Sequence, residues 1–218
     1  MCNKKTFSVK RMVLLAMMAA IAYVMMCFIR IPVVMFLKYE PKDVIITIAG
    51  FLFGPFSSFI ISFIVSLVEM VTVSDTGPIG ALMNLLSTCC FACTASFIYK
   101  RNRTMRGAIM SLAVGCVTMV AAMLLWNWLI TPLYLGYERD VVAGMLVPVF
   151  LPFNLLKGGL NTAFVLFLYK PLVTALRKTG LVETREQTSG GSKAGLYLFG
   201  LLLLATCVLL LLVFQGKI

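Results

Sequence analysis

The residues best suited to a chemical role lie in the stretch FNLLKGGLN, residues 153–161. They form a polar stripe inside an otherwise apolar run. At about 100° per residue, Asn154, Lys157 and Asn161 fall within about 60° of one another on a helix. A lysine at such a depth in a membrane costs on the order of 3 kcal/mol, so we expect it to face the interior of a helix bundle. Its ammonium and the two amides could then bind a polar ligand. The alternative is a lysine that snorkels to the outer interface, which leaves both asparagines unexplained.

Further polar residues are expected at the same level of the membrane. Asn127 stands between two tryptophans in LLWNWLITPLY, either as part of an aromatic belt or as an amide donor and acceptor beside large ring faces. Glu69 lies near the end of one apolar run, and Asn84 lies early in the next. Four helices would therefore bring polar groups to one place, and this convergence favours a binding site.

The residue types exclude catalytic sites that depend on histidine. Because the chain has no histidine, it cannot hold a Ser-His-Asp triad, a histidine metal site or an HExxH motif. The stretch GGSK, residues 190–193, matches only part of a phosphate-binding loop, so we expect no ATP hydrolysis by this chain. Seven cysteines lie mostly in apolar runs, and the C-x-x-C of Cys90 and Cys93 has no second pair. We expect neither a metal site nor a complete disulfide framework.

The composition predicts an all-α integral membrane protein. The 218 residues are 61% hydrophobic and 12% charged, and the mean hydropathy is +1.01. The net charge of +11 comes from short basic clusters beside apolar runs, a pattern typical of membrane orientation and not of nucleic-acid binding. If the N-terminus is cytoplasmic, 13 of the 19 Lys and Arg residues lie inside and five outside, while Lys157 lies within the membrane. This asymmetry predicts seven crossings.

The apolar runs predict helices at residues 12–29, 44–53, 56–72, 81–99, 107–130, 142–169 and 196–214. Gly54-Pro55 would break the run of residues 44–73. Ten residues rise only about 15 Å, so either the preceding loop dips into the membrane or the run is one long tilted helix. Irregular backbone at that depth must be buried or line a cavity, which makes loop 30–43 a candidate lid over a binding site.

Five segments, in order, resemble the riboflavin-binding S components of energy-coupling factor (ECF) vitamin transporters. They are FLKYEPKD, AGFLFGP, TGPIGALMN, LLWNWLITPLY and FNLLKGGLN, and the similarity runs from about residue 8 to about residue 178. The resemblance implies a bundle of six membrane helices that binds riboflavin near its outer face. It also implies partners, namely a transmembrane coupling subunit (the T component) and two cytoplasmic ATPases that supply the energy.

The resemblance also implies roles for particular residues. Asn127, Asn154 and Lys157 match positions that contact the flavin, and Glu69 and Asn84 lie at their level. Tyr39 and its neighbour Lys38 match the loop over the site. Ala16 and Ala20, which form a small-xxx-small surface on the first helix, match the surface that docks on the coupling subunit. From the residues alone, these alanines could equally serve internal packing.

Two features depart from the family pattern. Lys42 stands where the K-Y-acid-P-x-D motif has a small residue, and the helix of residues 196–214 is additional to the family's six. We therefore predict a membrane domain at 1–178, a polar linker at 179–194 and an additional helix at 195–218. Two alternatives remain open: an S component for another flat vitamin or flavin precursor, and a membrane protein of another class, such as an intramembrane enzyme or assembly factor, whose polar residues are structural.

Overall fold

The computed structural model describes residues 9–34, 37–73, 77–178 and 193–214. Its elements are α1 (Val9–Phe28), β1 (Ile31–Val34), β2 (Leu37–Tyr39), α2 (Lys42–Phe53), α3 (Pro55–Thr72), α4 (Gly77–Thr88), α5 (Thr94–Arg101), α6 (Met105–Leu135), α7 (Arg139–Met145), α8 (Leu151–Lys178) and α9 (Lys193–Phe214). A π-helical turn at Cys89–Cys93 joins α4 to α5, and another at Leu146–Phe150 joins α7 to α8. The described residues therefore form seven continuous helices, which confirms the all-α class.

The predicted break between α2 and α3 lies at Gly54. This glycine has φ 99°, a left-handed conformation that side chains disfavour, and Pro55 then occupies the first position of α3. The N–H of Gly54 donates to the carbonyl of Gly50 and so closes α2. The run of residues 44–73 is thus two helices and not one long tilted helix.

Five of the seven continuous helices are long and apolar enough to cross a membrane: Val9–Phe28, Pro55–Thr72, Gly77–Arg101, Met105–Leu133 and Arg139–Tyr169. The helix α2 has 12 residues, a rise of about 18 Å, and is too short to cross alone, as its sequence predicts. In α9 the apolar stretch Gly200–Val213 is also shorter than these five. The last helix begins at Lys193, three residues before the predicted start, and residues 179–192 of the predicted linker lie outside the described part of the chain.

The segment expected to be an irregular loop contains a small antiparallel hairpin, which the sequence prediction missed. Ile31 pairs with Tyr39 and Pro32 pairs with Lys38 in this two-stranded sheet. Leu37 and Tyr39 are buried while Lys38 between them is partly exposed, the alternation of a strand with one covered face. Strands of three and four residues are too short for their alternation of buried and exposed side chains to be recognised against the surrounding apolar sequence.

Buried apolar residues form two clusters. The larger lies among α1, α2, α3, α6 and the turn at Cys89–Cys93. The smaller lies beneath the hairpin and joins Val33, Leu37 and Tyr39 to residues of α8, such as Leu156 and Leu160. The candidate site lies where the polar ends of these helices meet the hairpin.

The helix α2 packs closely against its neighbours at Gly50, where a Cβ atom would overlap the hydroxyl oxygens of Ser58 and Ser96. We predict that Gly50→Ala destabilises the protein by about 1–3 kcal/mol, because the helices must separate to admit the methyl group. Gly144→Ala is the matched control, since a Cβ there meets no atom of the described residues within 4 Å. Thermal unfolding in detergent measures both, and equal melting temperatures would contradict this packing.

Candidate ligand-binding site

A cavity of about 210 Å³ lies beneath the hairpin, between α3, α4, α6 and α8. Residues from all these elements line it: Arg30, Leu37, Lys38, Glu40, Glu69, Met83, Asn84, Ser87, Met123, Asn127, Phe153, Asn154 and Lys157. Six of the residues predicted from the sequence to form a site therefore share one cavity. They are Lys38, Glu69, Asn84, Asn127, Asn154 and Lys157.

Lys157 points into the bundle and is only 7% exposed, which rules out the snorkelling alternative. Its Nζ lies 3.3 Å from Oδ2 of Asp43 and donates to Oγ of Ser87 at 3.1 Å. A buried ammonium is stable only with an opposite charge and hydrogen-bond acceptors nearby, and these two residues provide both.

Asp43 is the centre of this buried network. It stands in the first turn of α2, where the partial positive charge of a helix N-terminus favours a carboxylate. Its Oδ1 accepts from the Thr88 hydroxyl at 2.6 Å, and its Oδ2 accepts from the Asn161 amide at 3.2 Å. The Tyr39 hydroxyl donates to Oδ1 of Asn161 at 3.1 Å, so the network runs from the hairpin to α8.

A second charged cluster surrounds the base of the hairpin. Glu40 accepts from Arg30 at 2.8 Å and lies 2.8 Å from the ammonium of Lys42. Lys42 also pairs with Glu69, and Asn84 donates to the same carboxylate at 2.7 Å. Lys42, whose place in the lid the sequence left open, is thus a buried ion-pair residue that joins the hairpin to α3.

The charges in this cluster compensate one another. Burial alone would raise the pKa of Glu40, but Lys42 and Arg30 outweigh burial and hold that pKa below its usual value. Because this pKa is lowered in the folded state, the pairs contribute stability at neutral pH that is lost as the pH falls through the lowered pKa. The hairpin is therefore fixed in place by Glu40, whose carboxylate stays ionised beside Lys42 and Arg30.

Asn127 and Asn154 also line the cavity, and both are at least 98% buried. The Nδ2 of each donates to the carbonyl four residues earlier in its own helix, Met123 or Phe150, at 2.7 Å. Trp126 packs against the larger apolar cluster. Asn127 thus faces the bundle interior, and the aromatic-belt interpretation of this asparagine is wrong.

Three other predicted residues lie away from the cavity. Tyr39 does not line it among the described residues, because its ring is buried in the apolar cluster under the hairpin and its hydroxyl bonds Asn161. Ala16 and Ala20 lie on the outward face of α1 and are exposed, so they do not serve packing among the described residues.

The sequence prediction missed the acidic partners of the buried lysine and the residues around them: Arg30, Glu40, Asp43, Ser87 and Thr88. One signal was available, since a lysine inside a membrane bundle requires a carboxylate, and the charged segment of residues 30–43 holds two. Which of them pairs with Lys157 depends on the depth at which α2 begins.

A family model for the substrate-specific component of the ECF transporter matches residues 10–169. The chain belongs to this family. It is accordingly a multi-pass membrane protein. Its family is the substrate-binding component of a transporter and is not a family of enzymes.

Three similar proteins agree with this assignment. The chain is 28% identical over 178 residues to the riboflavin transporter RibU of Staphylococcus aureus (strain TCH60), covering 78% of this chain and 93% of that protein. It is 27% identical over 168 residues to the riboflavin transporter FmnP of Bacillus subtilis (strain 168), covering 69% and 85%. A solved structure described as "Structure and mechanism of the S component of a bacterial ECF transporter" matches with a TM-score of 0.65 and 28% identity, covering 77% of this chain and 98% of that one. The predicted family and fold are confirmed.

The pairing of Asp43 with Lys157 can be measured by a double-mutant cycle. We predict that Asp43→Asn lowers the free energy of unfolding by about 3–5 kcal/mol, because the buried ammonium loses its counter-charge. The double variant Asp43→Asn/Lys157→Met should be more stable than the sum of the single changes by about 1–3 kcal/mol. Glu138→Gln, at an exposed position before α7, is the control for loss of a carboxylate. Additive losses in chemical unfolding would contradict the pairing.

Proposed function

We propose that this protein binds riboflavin as the substrate-specific subunit of an ECF transporter and so serves riboflavin uptake. The observation that carries the proposal is the convergence of Asn127, Asn154 and Lys157 on one cavity in a chain of this family. Two relatives that bear the name riboflavin transporter support the choice of vitamin.

The lining of the cavity suits an isoalloxazine ring. The uracil-like edge of the ring has carbonyls and an N–H, which amides can pair as donors and acceptors and an ammonium can pair as a donor. The dimethylbenzene end needs apolar contact, and Met83, Met123 and Phe153 provide it. Lys38, Glu69 and Asn84 lie on the same cavity, where they are candidates to bind the polar side chain of the vitamin.

The charge balance favours the free vitamin over its phosphate ester. Each of the cations Arg30, Lys42 and Lys157 is already paired with a carboxylate, and Lys38 is a further cation on the lining. A phosphate would find no uncompensated partner among the three paired cations and would meet Glu40 and Glu69 on the lining. FMN should therefore bind more weakly than riboflavin.

Entry of the ligand requires the hairpin to move. The cavity of about 210 Å³ is smaller than the ~300–1,000 Å³ typical of small-molecule sites, and the hairpin covers it. Displacement of the hairpin would open the site, and Tyr39 would re-form its bond to Asn161 on closure. In this proposal Tyr39 holds the lid and does not contact the flavin.

The transport cycle needs partners that hydrolyse ATP. We infer a transmembrane coupling subunit (the T component) and two cytoplasmic ATPases, with a cytoplasmic N-terminus and a site that opens to the outside. The distribution of Lys and Arg supports this orientation. Residues 1–178 would form the transport domain, with the linker and the last helix as additions.

The first experiment is a riboflavin titration of the detergent-purified protein, with the fluorescence of the vitamin as the signal. Saturable quenching near one flavin per chain, or a flavin absorption spectrum in the purified protein, is the expected result. A folded protein that gives no quenching would reject riboflavin and direct the search to other flat vitamins or flavin precursors.

Variants of the cavity test the site itself. We expect Asn154→Ala and Asn127→Ala each to weaken riboflavin binding by about 1–3 kcal/mol, or roughly 5- to 150-fold, because a polar group of the ligand loses its partner. Lys157→Ala should weaken it at least as much, although its ion pair also affects stability. Asn102→Ala, in the exposed turn before α6, is the control. Unchanged affinity in all three folded cavity variants would remove these residues from the site.

The outward face of α1 is the proposed docking surface for the coupling subunit. Ala16→Leu/Ala20→Leu should abolish co-purification with the coupling subunit and leave riboflavin affinity unchanged, because bulk on this face prevents close helix contact. Ala121→Leu adds a leucine at an exposed alanine of α6 and is the matched control. A double variant that still assembles would show that docking uses another face.

A further inference from the structure

The helix α9 lies beyond the part of the chain that the family model matches, which ends at residue 169. It nevertheless packs directly on α8, the helix that carries Asn154 and Lys157. Two glycines make this close packing possible, one on each helix.

The first contact places Gly159 of α8 against Cys207 of α9. A Cβ atom on Gly159 would lie 2.7 Å from Sγ of Cys207 and 3.9 Å from Cδ1 of Leu203, and within 4 Å it would meet no other atom of the described residues. At the second contact, a Cβ on Gly200 of α9 would lie 3.0 Å from the ring of Phe167. The order of these pairs shows that the helices are antiparallel, and a small residue at each contact lets them approach closely.

The face of α9 that meets α8 also completes the apolar cluster under the hairpin. Cys207 is 4% exposed and belongs to the same cluster as Val33, Leu37 and Tyr39. Leu204 and Leu211 pack against that cluster, and α9 contacts β1 directly. The opposite face of α9, which carries Leu202 and Leu209, is exposed and points away from the bundle.

We propose that α9 braces the hairpin in its closed position and thereby slows release of the ligand from the cavity. The route is continuous: α9 supports the apolar cluster, the cluster holds Tyr39, and Tyr39 bonds Asn161 next to the Asp43–Lys157 pair. Cys207, Gly159 and Gly200 act as positioning residues. The effect on release rests on the proposed function, whereas the effect on the hairpin does not.

Two wedge variants in the full chain test the brace. Gly159→Leu and Gly200→Leu each add bulk at one α8–α9 contact, and Ala205→Leu adds the same bulk at an exposed position of α9 as the control. Three quantities are measured in detergent for each protein: alkylation of Cys207 by a maleimide, read by mass spectrometry; amide hydrogen exchange of residues 31–34 and 37–39 without ligand; and the rate of riboflavin release, read by recovery of its fluorescence.

We expect both wedges to expose Cys207, to accelerate exchange of the hairpin amides, and to speed riboflavin release on the order of tenfold, with no change in the control. Exposed Cys207 with unchanged hairpin exchange would overturn the brace, and protected Cys207 in both wedges would overturn the assigned contacts. Faster exchange with unchanged release would overturn the effect on the ligand. If the unaltered chain binds no riboflavin, the proposed function fails, and hydrogen exchange alone still decides whether α9 holds the hairpin.

Discussion

The structure depends on the burial of one ammonium group inside a membrane bundle. Lys157 cannot lie at this depth without a carboxylate nearby, and Asp43 in the first turn of α2 provides that carboxylate. This requirement sets the depth at which α2 begins and explains why α2 is too short to cross alone. Thr88 and Asn161 complete the carboxylate's hydrogen bonds, so α4 and α8 are fixed to the same point.

The hairpin over the site follows from the same constraint. The chain returns from the end of α1 to the start of α2 through a segment that is largely buried in the protein, where unpaired backbone groups are unfavourable. A two-stranded hairpin pairs part of that backbone internally, and Glu40 anchors its base through Arg30 and Lys42. The hairpin is therefore held by backbone hydrogen bonds and ion pairs as well as by apolar contact.

Much of this arrangement could be predicted from the sequence, and the part that could not has a physical reason. The stripe of Asn154, Lys157 and Asn161 follows from helical periodicity, and the break at Gly54 follows from the chemistry of glycine and proline. The partner of Lys157 is separated from it by more than a hundred residues, and no local pattern identifies it. Tyr39 was expected near the ligand, but the register of the hairpin turns its ring into the apolar cluster. Register in strands this short depends on what they pack against.

The balance of charge in the buried network argues for an uncharged group beside Lys157. Arg30, Lys42 and Lys157 pair with Glu40, Asp43 and Glu69, so three cations meet three carboxylates in this network, and Lys38 is a further cation on the cavity lining. An anionic ligand would have to compete with a carboxylate already held at close range, while a neutral ligand can accept from Lys157 without breaking its pair with Asp43. Neutral carbonyls and N–H groups are also what Asn127 and Asn154 can bind without a change of charge. The network that makes the buried lysine stable thus also selects by charge, because a ligand group beside Lys157 must fit among pairs that are already neutral.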